Sequence, residues 1–402
     1  MRNFYRRKRL QFKGLGAIMK VPKQRERKME NQSFLYCKPS VFVIGNEYEI
    51  LVNLNAFGLC FIKVGDTVYY EENSGVLPSE RTIVKIRVPQ SDLDKAKSYE
   101  FIYRQTDNRK SYWSTFLPTV TETFAFKPLE KTENIHIYYV SDVHYCFDIA
   151  KKTVGYFGDD TDLFVVNGDI GEAETEQNYL EVCSFVGDIA GGEIPVLFSR
   201  GNHDTRGRLA ERFTEYFPNN NKKTYFNFEV GCLSGLVLDC GEDKLDTSRE
   251  YDNSENVPDE YRGINRFHEY RQKQLDFLKS VQPKADKINF VVSHVCPAKT
   301  TAQPGGQFDI DREVYAKWCA ELDRIHPAFM LCGHYHHAFM IEPNDKESLL
   351  PHNYPVVVGI NRIPANASEH FWGCAIVLNK NKAEVMFTDE THTVQEQYLL
   401  EF

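Results

Sequence analysis

The chain has 402 residues, 42% of them hydrophobic, and a formal net charge of −9. That length exceeds the usual limit of one core and predicts two domains, with enough apolar surface to bury both. No apolar run approaches the roughly 20 residues that span a bilayer, no h-region with a small-residue cleavage site marks export, and ten cysteines without a CxxC pair predict free thiols in a reducing, cytoplasmic setting.

Charge is uneven along the chain. Residues 1–28 hold eleven Lys or Arg against one Glu, which leaves −19 for the remaining 374 residues. With no helical or strand period, residues 1–34 are expected to be a disordered basic tail, or in part sequence translated ahead of a later start at Met19 or Met29. An acidic body repels nucleic acid unless a local basic groove compensates, which weighs against a nuclease. From Pro39 to Phe126 the pattern is short apolar or alternating runs: Val41–Ile44, Tyr48–Leu54, Leu59–Val64, Val68–Tyr70, Ile83–Val88, Tyr99–Tyr103 and Val120–Phe126. With Gly45-Asn46 and Gly65-Asp66 as turns, these predict a β-sandwich domain over 35–128, of immunoglobulin size and without a catalytic constellation.

After Lys127-Pro128-Leu129-Glu130 strands alternate with helices, which predicts an α/β layer domain over 129–402. Strands are expected at Ile135–Ser141, Leu163–Asn167, Val196–Ser199, Ile288–Ser293 and Phe329–Cys332. Amphipathic helices are expected over 176–189, stopping at Gly191-Gly192, and around the stripes Phe267 to Val281 and Val314 to Ile325, whose apolar faces read as core. Residues 241–265 break this rhythm with eight acidic against three basic residues and read as a lid or a disordered loop. Pro355–Ile360, Cys374–Leu378 and Ala383–Phe387 close the domain as strands.

Just past five of the predicted strands lie Asp142-Val143-His144, Gly168-Asp169, Gly201-Asn202-His203-Asp204, Ser293-His294 and Gly333-His334-Tyr335-His336. Five of the twelve histidines fall inside these stretches. Strand ends of an α/β sheet deliver side chains to one crevice, so the stretches are expected to converge. Together they offer carboxylates, imidazoles and an amide oxygen, a set that suits Mn, Fe, Zn or Co rather than Ca or a thiolate-loving ion. It exceeds what one ion needs. Two ions about 3.5 to 4 Å apart, bridged by one carboxylate, would use it and would clamp an in-line displacement at phosphorus. Gly168, Gly201 and Gly333 are expected to turn the backbone sharply. Cys146, Cys296 and Cys332, near these stretches, read as packing. Of Arg200, Arg206, Arg208, Arg262 and Arg266, Arg206 is the expected substrate-binding residue, gripping a phosphate just beyond His203.

In this order the stretches resemble the calcineurin-like metallophosphoesterase superfamily, whose pattern runs D-x-H, G-D, G-N-H-D/E, H, G-H-x-H, over about residues 134–390. The resemblance implies a metal-bearing β-sandwich flanked by helices, here preceded by the all-β immunoglobulin- or fibronectin-like domain. It implies that Asp142, His144 and His336 hold one metal, that Asn202, His294 and His334 hold the other, and that Asp169 bridges them. The ions would be two divalent or mixed-valence transition metals such as Mn, Fe or Zn. His203 would steady the phosphoryl charge or protonate the leaving oxygen, with Asp204 orienting its imidazole. A metal-bound water, its pKa lowered by the cations, would supply the hydroxide that attacks phosphorus. Purple acid phosphatases also carry a β-sandwich before the metal domain, but they place a Tyr three residues after the bridging Asp. Glu172 stands there, so no tyrosinate colour is expected.

The expected activity is therefore hydrolysis of a small phosphomonoester or phosphodiester, with neither nucleic acid nor membrane as a partner. A nuclease of the same chemistry, or a non-catalytic interaction module on the same fold, is the alternative. A basic aromatic groove would favour the first of these and a missing ligand the second. Oligomeric state has no signal in the sequence.

Overall fold

The computed structural model describes residues 33–71, 73–244, 246, 265–299, 311–346, 348–359 and 369–402. The basic tail over 1–32 and most of the acidic stretch 241–265 lie outside them. In chain order the first part holds β1 (Ser40–Ile44), β2 (Glu47–Asn53), β3 (Gly58–Val64), β4 (Thr67–Tyr69), β5 (Ile83–Pro89), α1 (Gln90–Ala96), β6 (Ser98–Arg109), β7 (Ser114–Phe116) and β8 (Val120–Ala125). Next come β9 (Ile135–Val140), α2 (Phe147–Val154), β10 (Leu163–Asn167), α3 (Glu176–Ala190), β11 (Pro195–Ser199), α4 (Phe213–Tyr216), β12 (Phe226–Val230) and β13 (Leu233–Leu238). The chain ends with α5 (Phe267–Ser280), β14 (Ile288–Ser293), α6 (Arg312–Ile325), β15 (Phe329–Cys332), β16 (Phe339–Ile341), β17 (Val356–Val358), β18 (Gly373–Asn379), β19 (Lys382–Thr388) and β20 (Val394–Glu401).

Two sheets carry the α/β part. One runs β20-β19-β18-β9-β10-β11-β1-β2-β5 and the other β12-β13-β14-β15-β17-β16. Within them β9, β10 and β11 are parallel neighbours, as are β13, β14, β15 and β17. Parallel strands buried on both faces need apolar residues along their length, and LFVV of β10, ahead of its terminal Asn167, and FMLC of β15 supply them. Between the sheets pack Ile135, Ile137, Tyr139, Val165 and Leu197 with Phe228, Val237, Phe290, Val292 and Phe329. Helices α2 and α3 cover the outer face of the first sheet through Ile149, Val154, Val182, Phe185 and Val186. Helices α5 and α6 cover the second through Leu275, Leu278, Val314, Trp318 and Leu322. The result is a two-sheet sandwich with helices outside, as expected.

Helix α3 is bounded by local chemistry. The Thr175 side chain accepts from the Asn178 backbone N–H while Asn178 answers to the Thr175 backbone, and Gly191 closes the far end at φ 66°. Helix α1 was not expected: its seven residues bury only Leu93, too few for a readable stripe. Among the described residues no helix is long and apolar enough to cross a membrane.

Seven strands of the N-terminal β region lie where expected and β7 was not anticipated, but the region is not a sandwich closed on itself. A five-stranded sheet runs β4-β3-β6-β7 with β8 on β6. The remaining strands, β1, β2 and β5, extend the nine-stranded sheet, with Val41 and Phe42 of β1 in parallel register with Pro195 and Val196 of β11. The change of pattern at residue 128 is therefore not a break in hydrogen bonding. The physical reason lies in β1 itself, whose SVFVI is buried at all five positions. A strand with one face on a small sandwich core alternates, whereas one buried on both faces needs neighbours outside such a domain. Side chains reinforce the join. Lys85 Nζ donates to the Thr214 and Phe217 carbonyls at 2.8 and 2.9 Å, and Arg87 donates to the Asn219 carbonyl at 2.6 Å.

Candidate metal centre

The five polar stretches leave β9, β10, β11, β14 and β15 at their C-terminal ends; β9, β10 and β11 run parallel in one sheet and β14 and β15 in the other, so exits within each sheet aim the same way. The exits are sharply bent. Asp142, His144, Asp169, His334 and His336 have φ of 51°, 42°, 53°, 73° and 56°. Residues with a Cβ adopt this region rarely, and its clustering on the polar stretches marks a site where packing outweighs backbone preference.

The glycines act in two ways. Gly168 has φ +74°, as a sharp turn requires. Gly201 and Gly333 do not have positive φ, so the expected sharp turn holds for Gly168 alone. The other two permit close approach: a Cβ on Gly201 would lie 2.2 Å from Asp169 Oδ1, and one on Gly333 would lie 1.8 Å from Ser141 Oγ.

The predicted metal-binding residues come together. Asp142, His144 and His336 place one donor atom each within 4.8 Å of one another, as do His144, Asp169 and His203, and as do Asp142, Asp169 and His294. Across the group, His294 Nε2 lies 3.1 Å from Asp169 Oδ2 and 3.7 Å from Asp142 Oδ1, and His336 Nε2 lies 3.5 Å from Asp142 Oδ1. Asn202 Oδ1 and His334 Nδ1 are 3.0 Å apart. Backbone contacts hold the carboxylates: the His334 N–H donates to both Asp142 oxygens at 3.0 and 3.1 Å, and the His203 N–H donates to Asp169 Oδ1 at 2.8 Å.

His294 provides the test of whether a cation fits. Its Nδ1 donates to the Asn167 carbonyl at 2.7 Å, which leaves Nε2 as a lone pair. That buried Nε2 has no hydrogen-bond partner among the described residues, although Asp169 and Asp142 face it. Lone pairs and carboxylates converging on one point need positive charge between them, and the mixed nitrogen and oxygen donors suit a transition metal. Proton affinities express the same field. Burial works against a charge on His294, yet Asp169 and Asp142 push its pKa up to about 10. Burial likewise disfavours ionised Asp169, but His294 holds it well below the ordinary carboxylate range. Burial, and then neighbouring Asp169, push Asp204 up to about 7, while burial and His294 hold His334 down at about 4.

Other expected residues sit differently. Asp204 Oδ2 accepts from the Gly201 and Asp169 N–H groups at 2.8 and 3.2 Å, so it shapes the loop backbone rather than the His203 imidazole it was expected to orient. The His203 ring instead stands edge-on to His144, with centroids 4.8 Å apart. Arg206 does not lie open to a phosphate: its guanidinium pairs with Glu242 through Nε at 2.8 Å and with Asp243 Oδ1 through Nη2 at 2.7 Å. Arg200 is turned onto buried Asp239 at 2.8 Å. Arg208 and Arg266 are exposed, and Arg262 lies outside the described residues. Cys296 and Cys332 are buried free thiols, as packing predicted, and Cys146 is a partly buried one. The sequence reading missed Asn167. Its carbonyl sets the His294 tautomer, and its side chain donates to the Ser293 and Leu331 carbonyls at 3.4 and 3.3 Å. A lone amide ending the otherwise apolar LFVVN was the available signal. Glu172, in the position compared with the purple enzymes' Tyr, donates its N–H to the Tyr145 hydroxyl at 2.9 Å.

Comparison with known proteins agrees with this geometry. The profile of the family described as calcineurin-like phosphoesterase matches residues 135–338. Among solved structures, the purple acid phosphatase PPD1 from yellow lupin (Lupinus luteus) seeds shares 10% identity, with 90% of this chain and 74% of that one covered and a TM-score of 0.57. PhoD shares 11% identity, with 92% and 91% covered and a TM-score of 0.51. At such identities these structures speak for the fold. No curated protein sequence matches the chain.

Proposed function

Because the chain belongs to the calcineurin-like phosphoesterase family, and is thereby a phosphoric ester hydrolase, we propose that its strand-end residues hold two transition-metal ions and hydrolyse a small phosphomonoester or phosphodiester. The observation that carries this reading is the linking of three donor groups through Asp142, His144 and Asp169, with both carboxylates facing buried His294 Nε2, which has no hydrogen-bond partner among the described residues. Asp142, His144 and His336 serve one ion, supported by their mutual approach. Asn202, His294 and His334 serve the other, supported by the facing Asn202 Oδ1 and His334 Nδ1. Asp169 serves both. Mn, Fe or Zn would supply there the positive charge that brings a water's pKa towards neutrality and offsets charge on the phosphoryl oxygens.

The chain's own residues do the rest. The His203 backbone is pinned to Asp169, and its partly buried ring lies beside His144, where it can donate a proton to a leaving oxygen or steady the developing charge. The Asp142 carboxylate is fixed by the His334 N–H, so the donor positions are set before any ligand arrives. With Arg206 held by Glu242 and Asp243, phosphate binding falls to the metals and His203 rather than to that guanidinium. The body's charge of −19 favours a small substrate over nucleic acid, which a filter-binding assay at physiological salt would check. Glu172 in place of a Tyr supports a colourless centre.

Asp169→Asn removes the shared charge and is expected to abolish metal-dependent hydrolysis of an aryl phosphate. Chelation of the unmutated protein should silence it reversibly, with Mn, Zn and Fe tried separately in the reconstitution. Full turnover by the variant would refute the reading. A panel of phosphomonoesters, cyclic nucleotides and glycerophosphodiesters then separates the substrate classes.

A further inference from the structure

His334 and His294 present opposite nitrogens to the centre. His294 turns Nε2 inward and gives its Nδ1–H to the Asn167 carbonyl, whereas His334 turns Nδ1 towards Asn202 Oδ1. An imidazole that offers Nδ1 to a metal carries its proton on Nε2, and that N–H needs an outward acceptor to fix tautomer and ring plane. For His334 the group in that direction is Asp243, whose Oδ2 lies 4.0 Å from Nε2, a gap that one water or a modest ring rotation closes.

Asp243 is only 6% exposed, and its other oxygen is engaged: Oδ1 accepts from Arg206 Nη2 at 2.7 Å and from Lys244 Nζ at 2.8 Å. Glu242 shares both cations, taking Arg206 Nε at 2.8 Å and lying 3.5 Å from Lys244 Nζ. Two carboxylates and two cations thus form a largely buried, neutral cluster beside the centre, and the loop carrying it is fastened by buried Arg271, which donates to the Cys240 and Glu242 carbonyls. The cluster explains why Arg206 is withheld from the substrate.

From this arrangement we infer that Asp243, held by Arg206 and Lys244, is a positioning residue that fixes His334 as the Nε2–H tautomer for metal binding through Nδ1. The inference rests on the reading of His334 as a metal ligand, and the test separates the two. The full chain, stripped by a chelator, is titrated with Mn2+ by calorimetry. Unmutated protein takes two equivalents, His334→Ala loses one, and Asp243→Asn keeps both with one weakened 10- to 100-fold. Asp243→Glu should recover part of that loss, which a merely structural disturbance would not. In zinc-loaded protein labelled with 15N-histidine, the His334 Nε2–H should be visible and exchange slowly with solvent, as an N–H held by a buried carboxylate does; this needs no variant and so decides even if Asp243→Asn does not fold. A rapidly exchanging Nε2–H, or two equivalents bound by Asp243→Asn as tightly as by unmutated protein, would overturn the role of Asp243. If His334→Ala retains both equivalents, the metal assignment fails instead.

Discussion

Gly201 and Asp169 show how far single atoms decide this site. The Gly201 Cα lies so near the Asp169 carboxylate that an added methyl would come within 2.2 Å of Oδ1. Gly201→Ala is therefore expected to displace Asp169, costing about 2 to 4 kcal/mol of stability and at least about 100-fold in turnover, because misplacement near 1 Å has that effect. A thermal melt and a rate on an aryl phosphate check both; near-native values would show that the loop yields. The sequence marked Gly201 as special for the wrong reason, a sharp turn, because a motif tells which positions lack a side chain but not which neighbour occupies that space. His203 and Asp204 were legible as a pair for the same reason, yet their partners, the His144 ring and two backbone amides, follow only from how loops meet.

At the scale of elements, the joints are as informative as the strands. The segment between β8 and β9 is tied down by buried Asp162, which accepts from Lys131 Nζ at 2.7 Å and from the His136 N–H at 2.9 Å, with Lys127 Nζ 3.1 Å away. Burial works against this carboxylate, but the His136 N–H and the two lysines hold its pKa below the ordinary value. Its folded pKa being the lower one, its contribution is present above the unfolded carboxylate pKa near 3.8 and fades as pH falls through the folded pKa. Asp162→Asn should thus cost about 2 kcal/mol at pH 7 and progressively less below pH 4. Urea melts at pH 7 and pH 3 read this directly, and an equal loss at both would remove the ionic explanation. Thr175→Ala breaks the α3 cap, whose side-chain hydrogen bonds join Thr175 to Asn178 and to no metal-binding residue, so a stability loss of about 1 kcal/mol with unchanged turnover is expected from a melt and an assay run together. The cap's partners lie three residues apart, whereas the lysines and Asp162 are some thirty apart. Only the first kind of contact can be read along a chain.

For the whole molecule, the structure ties the N-terminal strands to the hydrolase sheet. A chain beginning at residue 129 would strip β1 from β11, leaving β10 as its one parallel neighbour, and would bare the apolar surface covered by Val41, Phe42 and Val43. It is expected to lack a cooperative melt, while the full chain melts in one transition; two separate transitions in the full chain would contradict this. Most of the strands, the three long amphipathic helices and the order of metal-binding residues were legible by themselves, because periodicity of apolar residues and the donor chemistry of Asp, Asn and His are local properties. The short helices α1, α2 and α4, the strands β7, β16 and β20 and the β12 and β13 hairpin were not read, since a single buried leucine or a few alternating residues compete poorly with longer patterns. What the sequence determined is the family, the sheet-exit placement of the centre and the chemistry it can hold. Only the tertiary structure decided that β1 belongs to the hydrolase sheet, that Arg206 is bound by Glu242 and Asp243, and which nitrogen of each histidine turns inward. Those depend on residues distant along the chain filling the same small volume, and nothing in the order of residues encodes that until the sheets have packed.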